Sequence, residues 1–134
     1  MAPTTERILL RTSEDIVIVR QAVRSRAVEL GFSLVDQTKM VTAASEIARN
    51  TVIYGGGGWA DIGVMQESGR KGLRVVFQDE GPGIANIDLA LKDGYTTGAG
   101  LGLGLGGAKR LVSEFEIRST PGTGTRVTIG RWKP

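Results

Sequence analysis

Hydrophobic positions along the chain change their period several times, and each change predicts an element. Glu6 to Arg11 is a short apolar run with charged ends, which predicts a strand. Thr12-Ser13-Glu14-Asp15 then supplies capping side chains and first-turn acids. Ile16, Val19, Val23, Ala27 and Leu30 follow at helical spacing until Gly31 closes the helix. Ser33-Leu34-Val35-Asp36 has the form of a capping box opening a second helix, with Met40, Ala44, Ile47 and Ala48 on its buried stripe. Gly55 to Gly58 stops that helix and lets the chain reverse.

From Trp59 the period becomes two. Ala60, Ile62 and Val64 share one face of a strand ending near Glu67, Gln66 to Gly72 reads as a hairpin loop, and Leu73 to Asp79 is the partner strand. Lys109 to Ser113 reads as helix, Phe115 to Ser119 as strand, Pro121 to Gly124 as a turn, and Thr125 to Trp132 as a last strand with Thr125, Val127 and Ile129 on one side. Helices placed early and late around adjacent strand pairs predict an α+β fold: two layers, a largely antiparallel or mixed sheet with its helices on one face.

Composition narrows the chemistry. A chain of 134 residues supports one domain with one core, and 40% hydrophobic with 23% charged residues is ordinary for a soluble globular protein. No apolar run approaches a membrane span, and Met-Ala-Pro-Thr-Thr-Glu is not a basic and apolar leader, so a cytoplasmic protein without a membrane partner is expected. The zero cysteine count excludes disulfides and zinc-thiolate sites. The formal charge of +3 is spread along the chain with few aromatics beside it, which argues against nucleic acid. With no histidine, any catalysis must rest on carboxylates.

Four stretches carry candidate chemistry. Between Gly94 and Gly107 stand seven of the 20 glycines, alternating with leucine and running into Ala108-Lys109-Arg110. Such a stretch packs poorly but can turn bare N–H groups toward an anion, as a lid over nucleotide phosphates would. Glu46 and Asn50, four apart on the second helix, share a face. They suit a general base beside a neutral oxygen ligand for Mg²⁺, an ion that takes one or two protein oxygens and completes its shell with phosphates and water. A boundary glutamate paired with Arg49 or Lys39 is the plainer account of Glu46.

Alternation from Leu73 puts Asp79 on the apolar face, where an inward carboxylate needs a donor such as the exocyclic amine of adenine. Gly81 and Gly83 after it would let a flat ring approach the backbone, although D-E-G-P-G is also simply a turn. Thr125 enters its strand on the face of Val127 and could hydrogen-bond the adenine edge or a water there, or satisfy only local backbone groups.

S-E-I-A-R-N (Ser45 to Asn50), D-E-G-P-G-I (Asp79 to Ile84), G-A-G-L-G-L-G (Gly98 to Gly104) and G-T-G-T (Gly122 to Thr125) resemble, in order, the N box and the three glycine boxes of the GHKL, or Bergerat-fold, ATPases. Each box is weak alone and the ordered set is specific. E-L-G-F (Glu29 to Phe32), D-G-Y-T-T-G (Asp93 to Gly98) and G-A-K-R-L (Gly107 to Leu111) are further similar to the small switch kinases of the stressosome, from which Gly106 departs at the lid hinge.

The resemblance implies a Bergerat fold binding ATP with Mg²⁺ and a serine/threonine protein kinase activity. Its partners would be a STAS-domain scaffold that is phosphorylated and a PPM-type phosphatase that the released kinase activates. It implies Glu46 as catalytic base and Asn50 as metal ligand. Asp79, Gly81, Gly83, Ile84 and Thr125 would surround the base; Gly98, Gly100, Leu101, Gly102, Leu103 and Gly104 would form the lid, with Lys109 adding charge at the phosphates. An anti-sigma-factor kinase that sequesters a sigma factor, an ATP-holding module without catalysis, and a homodimer stay open.

Overall fold

Two local capping networks start the long helices. In the computed structural model, which describes residues 5–84, 91 and 104–134, the Asp15 carboxylate accepts the backbone N–H groups of Arg11 (2.8 Å) and Thr12 (3.0 Å), fixing the turn from strand β1 (Glu6–Leu10) into helix α1 (Ser13–Glu29). These two bonds hold the Asp15 carboxyl below its usual pKa. Ser33 caps helix α2 (Leu34–Ile53) by accepting the Asp36 N–H at 3.1 Å. Gly31, at φ +83°, makes the bend between the helices in a left-handed conformation that side chains disfavour.

Strands β2 (Gly58–Glu67) and β3 (Arg70–Asp79) form the central hairpin, followed by the short helix α3 (Gly104–Arg110), β4 (Glu114–Thr120) and β5 (Gly124–Trp132). The sheet order is β1-β2-β3-β5-β4 with every pairing antiparallel. The expected sandwich is therefore present, and its sheet is antiparallel rather than mixed. One face of the sheet carries Ala60, Ile62, Leu73, Val75, Phe77, Val127 and Ile129, all buried beneath Val19, Val23 and Ala27 of α1 and Met40, Ala44, Ile47 and Ala48 of α2. Those helical residues include most of the stripes predicted from periodicity.

Two expectations about boundaries need correction. The hairpin loop is two residues, Ser68 (φ +51°) and Gly69 (φ +79°), and the ladder continues to Glu67 opposite Arg70, so β3 starts three residues before Leu73. Positive φ at both central positions is the type I′ geometry whose twist matches paired strands. The last helix starts at Gly104, inside the glycine run, and ends at Arg110 instead of spanning Lys109 to Ser113. Leu105, Gly106, Gly107 and Ala108 are buried in it, so Gly106, expected as a lid hinge, belongs to a packed helix. Packing against α2 outweighs the roughly 1 kcal/mol that each helical glycine costs.

A half-buried ion pair joins the layers. Arg131 of β5 donates through Nε (3.1 Å) and Nη2 (2.6 Å) to Oδ1 of Asp36 in the first turn of α2, and through Nη1 (3.0 Å) to the Leu111 carbonyl just past α3. The Asp36 side chain is 13% exposed and that of Arg131 18%. The Arg131 hydrogen bonds foremost, then the Ser33 hydroxyl, hold the Asp36 carboxyl below its usual pKa, against the opposing cost of burial.

A carboxyl with a lowered folded-state pKa stabilises above its unfolded pKa, about 3.9, and that contribution is lost as pH falls through the folded value. Asp36→Asn is therefore expected to destabilise the protein by about 1–3 kcal/mol at pH 7, with the gap to wild type narrowing below about pH 4. Urea denaturation of both proteins across that range reads this; a gap that stays constant would contradict the assignment.

Candidate functional site

β3 ends on the helix-facing side of the sheet with Asp79, only 7% exposed. Its Oδ1 accepts two backbone N–H groups, from Gly81 at 2.9 Å and from Thr125 at 3.2 Å. No described residue donates to Oδ2, which lies against Gly55: a Cβ added there would stand 2.5 Å from that oxygen. The register explains the convergence. Gly58 pairs with Asp79, Gln78 pairs with Arg126, and Thr125 pairs with Ser119, so one step past the last β3–β5 pair sets Asp79 beside Thr125. Gly58, Asp79, Thr125 and Ser119 thus form a row across four strands at one end of the sheet.

The loop after Asp79 is pinned to the same row. The Ile84 N–H donates to Ser119 Oγ at 2.7 Å, and the Gly122 N–H donates to the Pro82 carbonyl at 2.8 Å. Ser119 Oγ also lies 3.2 Å from the Gly124 carbonyl and 2.8 Å from Thr125 Oγ1. Gly81 and Gly83 have a reason other than the approach of a ring. A Cβ at Gly81 would come within 2.6 Å of the Gly55 carbonyl oxygen, and one at Gly83, where φ is +80°, within 2.5 Å of the Thr120 carbonyl oxygen. These glycines let three loops meet backbone to backbone, and the loops shape the surroundings of the Asp79 carboxylate.

α2 runs past this floor. Gly55, directly after its last turn, touches Asp79; Asn50 and Glu46 lie one and two turns back on a shared face. The Asn50 carbonyl receives the N–H groups of Tyr54 (2.9 Å) and Gly55 (3.0 Å), ending the helix there, while the Asn50 side chain, half-buried, has no hydrogen bond to a described residue. The Glu46 side chain is 12% exposed. It accepts a long bond from the Gly104 N–H at 3.4 Å, and Arg49 Nη1 stands 4.0 Å from it, so the pairing with arginine that would give it a purely structural role is loose. The rise of a helix puts Glu46 about 13 Å from Gly55 along the axis.

The structure gathers Asp79, Gly81, Gly83, Ile84 and Thr125 at one end of the sheet and separately sets Glu46 beside the N–H of Gly104, with Asn50 on the turn of α2 between the two groups. Lys109 does not join them: it is exposed in the last turn of α3, away from Gly104. Gly98, Gly100, Leu101, Gly102 and Leu103 lie outside the described residues. Ser119 and Gly55 were not singled out from sequence. Both act through pairings between segments far apart in the chain, and no local pattern marks them.

A carboxylate oxygen and a side-chain amide that have no hydrogen-bond partner among the described residues, with a hydroxyl beside the first, suit a ligand that is planar and amine-bearing at one end and anionic at the other. Residues 35–134 match the model of the histidine kinase-, DNA gyrase B- and HSP90-like ATPases. Over 125 residues the chain is 44% identical to the serine/threonine-protein kinase RsbT of Bacillus subtilis, covering 93% of this chain and 94% of that one. It is 32% identical over 128 residues to an anti-sigma F factor of Clostridium acetobutylicum, covering 90% of this chain and 87% of that one.

Among solved structures, the RsbU and RsbW domains of Rv1364c from Mycobacterium tuberculosis match with a TM-score of 0.65 and 24% identity, a likeness of fold. That match covers 100% of this chain and 34% of the other, about a third of its length. The extent of the family match, together with the identity to that kinase over nearly the whole chain, shows that the chain belongs to the histidine kinase-, DNA gyrase B- and HSP90-like ATPases.

Proposed function

We propose that this protein is an ATP-dependent serine/threonine kinase that phosphorylates a STAS-domain partner and, when released from it, activates a PPM-type phosphatase. The observation that carries the reading is the Asp79 carboxylate. It is nearly buried, with one oxygen committed to two backbone donors and the other without a donor among the described residues, in the place where an adenine amine would satisfy it. The 44% identity to a serine/threonine-protein kinase over nearly the whole chain supports the choice of reaction.

The remaining roles follow from residue type. Asn50 has an amide oxygen free of described partners and would hold Mg²⁺ together with phosphate oxygens; the ion, when bound, neutralises charge on the transferring phosphoryl group. Glu46 is the carboxylate positioned to take the proton of the incoming Ser or Thr hydroxyl. The hydroxyl oxygen bonds to the γ-phosphorus, and the bond from that phosphorus to ADP breaks. The Gly104 N–H beside Glu46 supports a reading in which the phosphate end of the nucleotide lies toward this part of α2. Phosphoryl transfer asks mainly for alignment, which two rigid elements, α2 and the end of β3, supply.

Identity to an anti-sigma F factor favours a second reading, in which the same nucleotide site serves a protein that holds a sigma factor. Nanomolar retention of a sigma factor with no phosphotransfer to a STAS-domain protein would select it.

Labelled γ-phosphate from ATP is expected to appear on Ser or Thr of a STAS-domain protein. Glu46→Gln should slow that transfer by about 10²–10⁴-fold while changing ATP affinity little. Asn50→Ala should weaken ATP binding in Mg²⁺ while leaving metal-free binding nearly unchanged. Rapid-quench transfer assays and calorimetry read these effects; transfer that survives Glu46→Gln at the wild-type rate would remove the base from the mechanism.

A further inference from the structure

Ser119 stands on β4 at the far end of the row that begins with Gly58 and Asp79, opposite Thr125. Its hydroxyl has three neighbours within hydrogen-bond distance: the Ile84 N–H at 2.7 Å, the Gly124 carbonyl at 3.2 Å and Thr125 Oγ1 at 2.8 Å. A serine hydroxyl has one proton and two lone pairs. One lone pair receives the Ile84 N–H, so the single proton goes either to the Gly124 carbonyl or to Thr125 Oγ1. If it goes to Gly124, the Thr125 proton is drawn onto Ser119, and Thr125 faces a ligand as an acceptor only. If it goes to Thr125, by the shorter contact, the Thr125 proton is released to donate outward.

The neighbouring Asp79 decides which arrangement a base requires. Its Oδ2, without a donor among the described residues, can only accept, so a base docked there would place a donor against Asp79, and a Thr125 hydroxyl that donates would read an acceptor at the next ring position. Adenine has that order on its Watson–Crick edge, with the N6 amine followed by N1. The 6-oxopurines have the reverse, O6 followed by N1–H.

We infer that Ser119 is a specificity-determining positioning residue. By donating to Thr125 Oγ1 it turns the Thr125 hydroxyl into a donor aimed at N1 of the base, so that Asp79 and Thr125 together read a donor–acceptor pair. This rests on the nucleotide reading above and adds to it how the base is selected. Through the Ile84 N–H, the same hydroxyl ties the loop after Asp79 to the row, so base selection and loop position depend on one group.

The test compares affinities for ATP and 1-deaza-ATP, which keeps the amine and lacks the N1 acceptor, in wild type, Ser119→Ala and Ser119→Thr. Wild type is expected to prefer ATP by about tenfold, the worth of one well-made hydrogen bond in a buried site. Ser119→Ala should cut the preference to about threefold or less, because the Thr125 hydroxyl is then no longer oriented, and Ser119→Thr, which keeps the hydroxyl, should restore most of it. The ratio is taken within each protein, so a general loss of stability does not move it.

If Ser119→Ala weakens both nucleotides by the same factor, the residue serves only to hold the loop and the inference is overturned while the ATP reading stands. If wild type binds both equally, Thr125 donates nothing to N1, with the same consequence. If wild type binds neither, the nucleotide reading itself falls and takes the inference with it.

Discussion

A carboxylate at the inner end of a central strand imposes a constraint that much of this structure meets. Asp79 cannot turn to solvent without reversing the alternation that buries Leu73, Val75 and Phe77, and it cannot remain buried without donors. The fold answers with the N–H of Gly81 from the loop that follows and the N–H of Thr125 from the adjacent strand, both directed at the same oxygen. Meeting that demand brings three loops together. Gly55 packs on the carboxylate, Gly81 packs on Gly55, and Gly124, at φ +111°, would put a Cβ 2.2 Å from the Asp79 carbonyl oxygen. Among the described residues, the second carboxylate oxygen has no donor.

α2 has a second anchor at its other end. The Arg131 pair fixes the first turn of α2 to β5 and the exit of α3 to the same guanidinium. α2 is thereby held at its start by an ion pair and at its finish by packing on Asp79. Glu46 and Asn50 lie in its second half, closer to the finish, so their spacing from the sheet follows from these two attachments.

What was legible in the sequence was local. Asp15 and Asp36 signal helix starts because caps act within one turn, and the stripes Val19-Val23-Ala27 and Met40-Ala44-Ile47-Ala48 show as period because burial is one-sided. The inward direction of Asp79 followed from counting by two along β3. The row through Thr125 to Ser119 did not, because it depends on the β3–β5 and β4–β5 registers, and a one-residue slip would turn Ser119 outward.

Arg131 escaped notice for a similar reason: its partner Asp36 lies 95 residues away. At Gly104 to Gly107 intrinsic propensity misled outright, since glycine argues against a helix and contact with α2 produces one. Gly81 and Gly83 stand out in the sequence as places where a flat ring could approach the backbone, and the structure shows in addition that the backbone of Gly55 and Thr120 lies close to them, a contact between distant segments that no local pattern marks.

Whether Asp79 accepts from a purine amine is read most directly by a calorimetric comparison of ATP with inosine triphosphate, whose 6-oxo group replaces the amine, in wild type and Asp79→Asn. Wild type should favour ATP by about tenfold or more, and Asp79→Asn, whose amide can donate to a 6-oxo group, should lose or reverse that preference. An ATP preference of the same size in both proteins would mean that Asp79 does not accept from the amine.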